Sequence, residues 1–495
     1  MLKSIKISNF KAFGPEQTIP IKPLTLIYGA NSSGKSSILQ SIQFLEAAFK
    51  DDYNIALESD KYDTIDIPHV DVSDFVYKKK EGGTVSIAVT YDGDSDIAKL
   101  VGNKVKSVTI KIIAGTYKEH YVEEGFDDDN LDIHIKDKEK ERSRVVILKI
   151  IISVNYKDII EIHYTDGEYK IEFFHSSFIS QYLTTRKLRK KGLLINNNDL
   201  MKQINEHIAC LRFNNKFYKY FEDCHNMCTP SKIHKDPDIQ NILMEEISQF
   251  VVKIAGKCFN RYYHIGPVRS IEQRSTVISN KIDFKDLKDW NRGSLIGRGI
   301  NMDELLANEK LIIKINKWFK RCKIEYAIAK RIQPYNAYSY NIIPELKNNK
   351  LDIAHKYEHV GSGISQMLPI LANAFGNNKM HIAIEQPELH LHPALQCELA
   401  DVFIESALGK NKNAFLLETH SEHLLLRIMR RMRETAKGNH PPGDPLRLTP
   451  EDVAVLYVEP DDDTSIVREM PLNKYGELVK PWPGGFFEEG LREIF

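Results

Sequence analysis

The eight residues GANSSGKS, Gly29 to Ser36, follow the apolar run Leu24 to Tyr28 and precede Ile38, Leu39, Ile42, Leu45 and Phe49. A buried strand, a tight loop and an amphipathic helix are therefore joined with no residues to spare. Successive N–H groups of such a loop, together with the positive end of the helix dipole, solvate a polyphosphate. Gly29 and Gly34 permit the tight backbone path, and Asn31, Ser32, Ser33 and Ser37 complete the cradle. Lys35 would reach the β- and γ-phosphates, and Ser36 would offer its hydroxyl to Mg²⁺. Because the strand before and the helix after are both readable, the string is distinguished from a chance Gly/Ser turn. ATP with Mg²⁺ is the expected ligand.

Composition adds bounds and little direction. At 495 residues the chain can hold two or three domains, and 42% hydrophobic with 27% charged residues is ordinary for a soluble globular protein. Lys plus Arg equals Asp plus Glu at 68 each, so net charge argues neither for nor against nucleic acid, and only local patches can speak. Met1 runs straight into strand-like alternation, and no uninterrupted apolar stretch approaches the roughly 18 residues of a spanning helix. No membrane association and a cytoplasmic location are expected. Six scattered cysteines fit reduced thiols.

Three regions follow from the patterning. Residues 1–175 read as β-rich, with alternation at Thr84 to Tyr91, Lys106 to Ile113, Val145 to Val154, Ile159 to Tyr164 and Tyr169 to Phe173. Gly125 to Arg144, of mixed charge, reads as a solvated loop. Residues 176–335 turn mostly helical, including an apolar-periodic stretch Leu305 to Phe319, and look like an insertion. Residues 336–495 alternate short strands with helices, the grammar of a doubly wound α/β domain. Sustained heptads and internal repeats are not seen.

A second set of chemically suggestive residues lies far downstream. Gly361-Ser362-Gly363-Ile364-Ser365-Gln366 opens a helix with small residues and offers a second anion site through Ser362 and Gly363. The apolar run Met380 to Ile384 ends in Glu385, a carboxylate placed to hold Mg²⁺ directly or through water, and Gln386-Pro387-Glu388 follows. After Leu389-His390-Leu391-His392-Pro393, a further strand Phe415-Leu416-Leu417 ends in Glu418-Thr419-His420-Ser421, where His420 is placed to sense a γ-phosphate.

This ordered set resembles the ABC-type ATPases of the AAA family, and among them the OLD-like and SMC-like branch whose nucleotide head is split by a long insertion. The opening Ile5-Lys6-Ile7-Ser8-Asn9-Phe10-Lys11-Ala12-Phe13 is similar to the first strand and turn of that branch. IEQPELHLHP, THSEHLL and the tail PLNKYGELVKPWPGGFFEE are similar to a bacterial group of AAA-like ATPases found in anti-phage defence operons, as in Septu-, retron- or PARIS-type ATPase subunits. The resemblance covers roughly residues 1–90 and 355–495, with a thin match at Tyr263 to Arg269. It implies an α/β fold: a split head of mixed sheet, flanking helices and N-terminal β lobe, with a mostly helical insertion. It also implies that two protomers meet head to tail, Ser362 and Gly363 of one closing over the triphosphate held by Lys35 and Ser36 of the other. A head-to-tail dimer or higher oligomer is expected on this ground, as is a separately encoded effector, a nuclease by this reading, with DNA or a phage protein as trigger. The alternative is a DNA-repair or DNA-processing ATPase of the recombination-mediator type.

The family pattern places an acid directly after the Mg²⁺ carboxylate, and here that position is Gln386. Glutamine can hydrogen-bond a water but cannot accept its proton, a loss of about 10²–10⁴-fold. Slow hydrolysis is expected, with Glu388 or His420 as substitutes.

Other signals carry less. The acids of Val458 to Asp463 are contiguous and suit a charged turn between strands better than a metal-dependent nuclease, so no intrinsic nuclease is expected. Cys210, Cys224 and Cys228 with His207, His225 and His234 lack usual zinc spacing. His390 and His392 fit a dimer-contact turn. Basic clusters at Tyr77 to Lys80, Arg186 to Lys191, Lys310 to Lys330 and Arg427 to Arg433, with Trp318 and Phe319 interleaved, are either solvated faces or nucleic-acid contacts. Arg269 suits a sensor of the phosphates or of the neighbouring protomer, or a structural ion pair.

Overall fold

A computed structural model of the chain describes residues 1–49, 75–79, 83–93, 105–123, 138–165, 168–174, 212–213, 254, 261–267, 269, 276–279, 300, 302–336, 339–356 and 360–483. The chain begins with β1 (Leu2–Ser8), β2 (Gln17–Pro20), β3 (Leu24–Gly29) and α1 (Lys35–Phe49). Six strands follow: β4 (Val85–Asp92), β5 (Ser107–Glu123), β6 (Lys138–Val154), β7 (Lys157–Thr165), β8 (Glu168–Phe174) and β9 (Arg212–Phe213). Next come β10 (Tyr262–Ile265), β11 (Thr276–Ser279), α2 (Met302–Ala307), α3 (Glu309–Arg321), β12 (Tyr326–Asn336), β13 (Ser339–Asn348) and β14 (Ile353–Lys356). The last described stretch holds α4 (Ser362–Gly376), β15 (His381–Glu385), α5 (Pro393–Leu408), β16 (Ala414–Glu418), α6 (Glu422–Ala436), β17 (Val453–Asp461) and β18 (Thr464–Glu469).

The chain forms two compact units. The first comprises Met1–Ile19, Gln40–Lys257 and Asp461–Ser465. Its sheet runs β2-β1-β4-β5-β6-β7-β8-β9. Strand alternation here has a direct packing consequence, because Ile7, Ile87, Ile112, Ile150 and Ile162 are register partners from strand to strand. All five are buried, so one row of β-branched side chains crosses five strands. A parallel row of Ile5, Val89, Ile110, Ile152 and Ile160 lies two residues away along each strand. The charged stretch expected as a loop is partly strand: β6 begins at Lys138, and Lys138 to Arg144 pair with Glu123 to Tyr117 of β5. Cross-strand pairing there does not need an apolar period, which is why the sequence pattern concealed it.

The second unit comprises Pro20–Leu39, Cys258–Pro460 and Ile466–Phe495. Its central sheet has the order β10-β15-β16-β3-β17-β18, with parallel pairing from β10 through β17. Every residue of β3 and of β16 is buried, as are the first four of β15 and the first six of β17. That continuous burial accounts for apolar runs without alternation, the mark of parallel strands covered on both faces. A smaller antiparallel sheet joins β11, β13, β12 and β14. The mixed α/β architecture with an N-terminal β lobe is thus as expected.

The expected helix Leu305 to Phe319 is two helices, α2 and α3, because the Asn308 side chain accepts the Leu311 N–H (3.1 Å) and caps α3 afresh. Trp318 and Phe319 are buried in the core of this unit, which removes them as stacking platforms for nucleic acid. The basic run of α6 is likewise not a simple solvated face. Asp401 of α5 accepts hydrogen bonds from Arg427 Nη1 (2.5 Å), Arg431 Nε (2.8 Å) and Arg431 Nη2 (2.6 Å), pinning the two helices together.

Where the insertion was expected to be helical, Arg212–Phe213 forms the strand β9 paired with β8. The rest of that reading from 176 to 253, the Arg186 to Lys191 cluster and the Cys210, Cys224 and Cys228 group with its histidines lie outside the described residues. Among the described residues no group of three or more His, Cys, Asp or Glu side chains is placed to hold a metal ion, and no helix is long and apolar enough to cross a membrane.

Candidate functional site

The loop after β3 is built as its residue types require. At Gly29 φ is +150°, and a Cβ there would lie 2.2 Å from the Val458 carbonyl oxygen and 2.7 Å from Ser33 Oγ. Only glycine satisfies both constraints. Lys35, at the first position of α1, is buried, and its Nζ donates to the carbonyls of Gly29 (3.1 Å) and Ala30 (2.8 Å). Burial lowers the Lys35 pKa, opposed by the nearby Glu418 and Glu388 carboxylates. Ser36 Oγ donates to Glu418 Oε1 at 3.0 Å, and Ser33 Oγ is buried without a hydrogen-bond partner among the described residues. Asn31 and Ser32 are exposed on the loop.

The C-terminal ends of β15 and β16 face the same end of the sheet as this loop, since all three strands are parallel neighbours in the order β15, β16, β3. Glu385 and Glu418 are register partners. His264, on the neighbouring β10, shares a hydrogen bond with Glu385 (Nε2 to Oε1, 2.9 Å). Burial raises the Glu418 pKa, and the Ser36 hydrogen bond opposes that shift. The sequence reading left Glu418 and His264 out of the site. Only their placement on adjacent parallel strands reveals them.

Gln386 has a left-handed backbone (φ 46°), and its N–H donates to the Glu418 carbonyl at 2.7 Å. This sparsely populated conformation turns the chain sharply off β15. Arg269 holds the turn from the other side. Its Nη2 donates to the carbonyls of both Glu385 and Gln386 (2.9 Å for the latter), and its Nε to the Gly266 carbonyl at 3.0 Å. Burial lowers the Arg269 pKa to about 10, with Glu388 and Glu385 opposing, so it remains cationic at neutral pH. In these contacts Arg269 braces main-chain carbonyls.

Glu388 has both carboxylate oxygens engaged. Oε2 accepts from Thr419 Oγ1 (2.6 Å) and Oε1 from the His420 N–H (2.8 Å). Ser421 caps α6, accepting the Leu424 N–H at 3.1 Å, and its own N–H donates to Thr419 Oγ1 at 3.0 Å. The turn carrying His420 is therefore fixed through Glu388. Burial and the nearby Lys35 lower the His420 pKa, with Glu388 opposing, which favours the neutral imidazole at neutral pH.

Ser362 is the first residue of α4, with Gly361 as N-cap, and Gly363 is so close to the His390 carbonyl that a Cβ would lie 2.9 Å from it. Gln366 of the same helix exchanges two hydrogen bonds with the Arg269 main chain (2.9 and 3.3 Å). His392 is the N-cap of α5, its Nδ1 accepting the Ala394 N–H at 3.2 Å. His390 is exposed with φ 61°. Lys35, Ser36, Glu385, Gln386, Glu388, Glu418 and His420 thus converge around one loop, while Ser362 and Gly363 belong to the helix braced from behind by Arg269.

The Ser36 hydroxyl and the Glu385 and Glu418 carboxylates are all oxygen donors, the set a hard divalent cation takes. Glu418 Oε2 is buried with no hydrogen-bond partner among the described residues, an arrangement that a cation would relieve. The residues present therefore fit Mg²⁺.

A phosphate loop between a buried parallel strand and a helix, faced by carboxylates from neighbouring strand ends, defines a P-loop nucleoside triphosphatase. A family model described as an AAA ATPase domain matches residues 1–425, and the chain belongs to that family. A second model, described as a protein of unknown function (DUF3696), matches residues 448–495. No curated protein sequence matches the chain. Among solved structures, the chain is similar to an Smc head bound to the C-winged helix domain of ScpA, at 12% identity over 96% of this chain and 98% of that one, with a TM-score of 0.42. It is also similar to an SMC head domain from Thermotoga maritima, at 8% identity over 95% of this chain and 99% of that one, with a TM-score of 0.37. A third is an Smc head with extended coiled coil from Pyrococcus furiosus bound to the C-terminal domain of ScpA, at 10% identity over 100% of this chain and 98% of that one, with a TM-score of 0.41.

Proposed function

We propose that this AAA-family ATPase is a slow ATP-driven switch. Its heads pair head to tail, and its ATP-bound state controls a separately encoded effector in antiviral defence. The observation that carries the reading is the convergence of Lys35, Ser36, Glu385, Gln386 and His420 at the C-terminal ends of three adjacent parallel strands. In this reading Lys35 and the loop N–H groups bind the triphosphate, and Ser36 with Glu385 holds Mg²⁺, which supplies charge neutralisation on the phosphates. His420, kept neutral, hydrogen-bonds the γ-phosphate. Ser362 and Gly363 close over the nucleotide of a second protomer, and the sequence resemblance stated above supports that part. The residue that would activate water is Gln386, which has no basic function, and Glu388 is occupied in holding the His420 turn. Slow turnover follows from both.

The test is native mass spectrometry and nucleotide binding with and without Mg²⁺·ATP. Wild type is expected to bind ATP and to double in mass. Lys35→Ala removes a charge-assisted contact of about 2–3 kcal/mol, so affinity should fall by about 10²-fold and dimerisation should vanish with it. Binding unaffected by Lys35→Ala would defeat the ATP reading. Gln386→Glu restores a carboxylate and is expected to raise steady-state turnover by about 10²-fold without tightening ATP binding. Turnover unchanged in that variant would mean that chemistry does not limit the cycle. Co-purification with the neighbouring gene's product tests the effector. Tight, salt-sensitive binding of bare DNA without a partner would favour a DNA-processing ATPase instead.

A further inference from the structure

We infer that Glu418 is a carboxylate of the Mg²⁺ site, acting with Ser36 and standing beside Glu385, so that two strand ends and not one supply acid to the cation. The inference rests on the ATP-binding reading above and extends it to a residue at the tip of β16.

Four observations carry it. Glu418 is 6% exposed, and its Oε2 meets no hydrogen-bond donor among the described residues. A buried carboxylate oxygen left without a partner costs stability unless a cation or an ordered donor satisfies it. Its other oxygen accepts the hydroxyl of Ser36 at 3.0 Å, the group whose place in the phosphate loop makes it a Mg²⁺ ligand. Glu385, by contrast, already shares a hydrogen bond through Oε1 with His264 at 2.9 Å. Finally, β16 lies between β15 and β3, so Glu418 belongs to the strand directly beside the one that leads into the phosphate loop, and Glu385 to the strand beyond.

The main chain of Glu418 is fixed independently of its side chain. Its carbonyl accepts the Gln386 N–H at 2.7 Å, and the next residue, Thr419, donates its N–H to the Ile27 carbonyl at 3.1 Å. A glutamine at 418 therefore preserves the backbone that shapes both turns, keeps an acceptor for Ser36, and removes only the charge. The shared chemistry is a carboxylate oxygen offered to Mg²⁺ or to one of its coordinated waters.

The experiment titrates Mn²⁺ into wild-type protein, Glu418→Gln and Glu418→Asp in the presence of ATPγS, with free Mn²⁺ read by electron paramagnetic resonance. ATPγS affinity is measured in parallel in EDTA. Glu418→Gln is expected to weaken Mn²⁺ by about 10–100-fold while affinity in EDTA stays within about twofold of wild type. Glu418→Asp, which retains the charge, should recover part of the Mn²⁺ affinity. Mn²⁺ affinity within about twofold of wild type in Glu418→Gln overturns the inference. So does an equal loss of nucleotide affinity with and without the metal, because that result would assign Glu418 to loop packing. If wild type itself binds neither ATPγS nor Mn²⁺, it is the ATP reading that fails, and the two failures are distinguished within one data set.

Discussion

Asp401→Ala is expected to lower the stability of the parallel-sheet unit by about 3 kcal/mol. Asp401 is 4% exposed and receives three hydrogen bonds from two arginines of the neighbouring helix. Removing it leaves two guanidinium groups, themselves mostly buried, without their shared counter-ion. The loss is held near the lower end of the range for a broken buried pair, because Arg427 keeps Glu398 (3.0 Å) and Arg431 keeps Glu434 (2.6 Å). Asp401→Asn, which retains an acceptor, should cost less. Urea denaturation followed by tryptophan fluorescence would measure both, since Trp318 and Trp482 lie in this unit. A change below about 1 kcal/mol for the alanine variant would class the cluster with ordinary surface pairs and defeat the expectation.

Arg269→Met is expected to abolish most ATP turnover, by about 10²-fold or more, while leaving ATP binding within a few-fold of wild type. The guanidinium donates to the carbonyls of Glu385, Gln386 and Gly266 and so fixes the chain where it leaves β15 in a left-handed turn. Without it, carbonyls that face a buried cation lose their donor, and the turn can relax. Displacement of about 1 Å at the position that orients water is enough to cost two orders of magnitude. Arg269→Lys should not rescue, because a single ammonium cannot reproduce a planar fork that reaches three carbonyls. Steady-state hydrolysis and ATP affinity measured on the same preparations test this. Equal loss of binding and turnover would show instead that Arg269 supports the fold as a whole.

The parts of the site that were legible in the sequence are those in which chemistry and local conformation coincide. Gly29 to Ser36 announces itself through its own glycines and the periodicity on either side, and Glu385 ends an apolar run that could only be a buried strand. Glu418 ends a similar run, yet a lone acid before a threonine has no distinguishing mark. Its significance arises when β16 is inserted between β15 and β3, a matter of strand order that no local window reports. Glu388 was readable as a candidate base because its residue type allows it. The structure adds that its two oxygens accept hydrogen bonds from Thr419 Oγ1 and the His420 N–H. Trp318 and Phe319 misled in a similar way: aromatic residues among lysines suggest a nucleic-acid face, but their helical spacing places them in the core while the lysines surround them. Lys138 to Arg144 escaped detection as strand because its partner β5, and not an apolar period of its own, holds it in the sheet.

The position of β3 has a consequence for biosynthesis. Leu24 to Gly29 is buried along its whole length, and its two neighbours are β16 and β17, which begin at Ala414 and Val453. On a ribosome adding roughly 5–20 residues per second, this apolar strand waits some tens of seconds with both edges unpaired. Such an edge is a template for association with another nascent chain. The strand that leads into the ATP-binding loop therefore finds both of its partners only among the last events of synthesis, and until then its six residues remain an unpaired apolar edge.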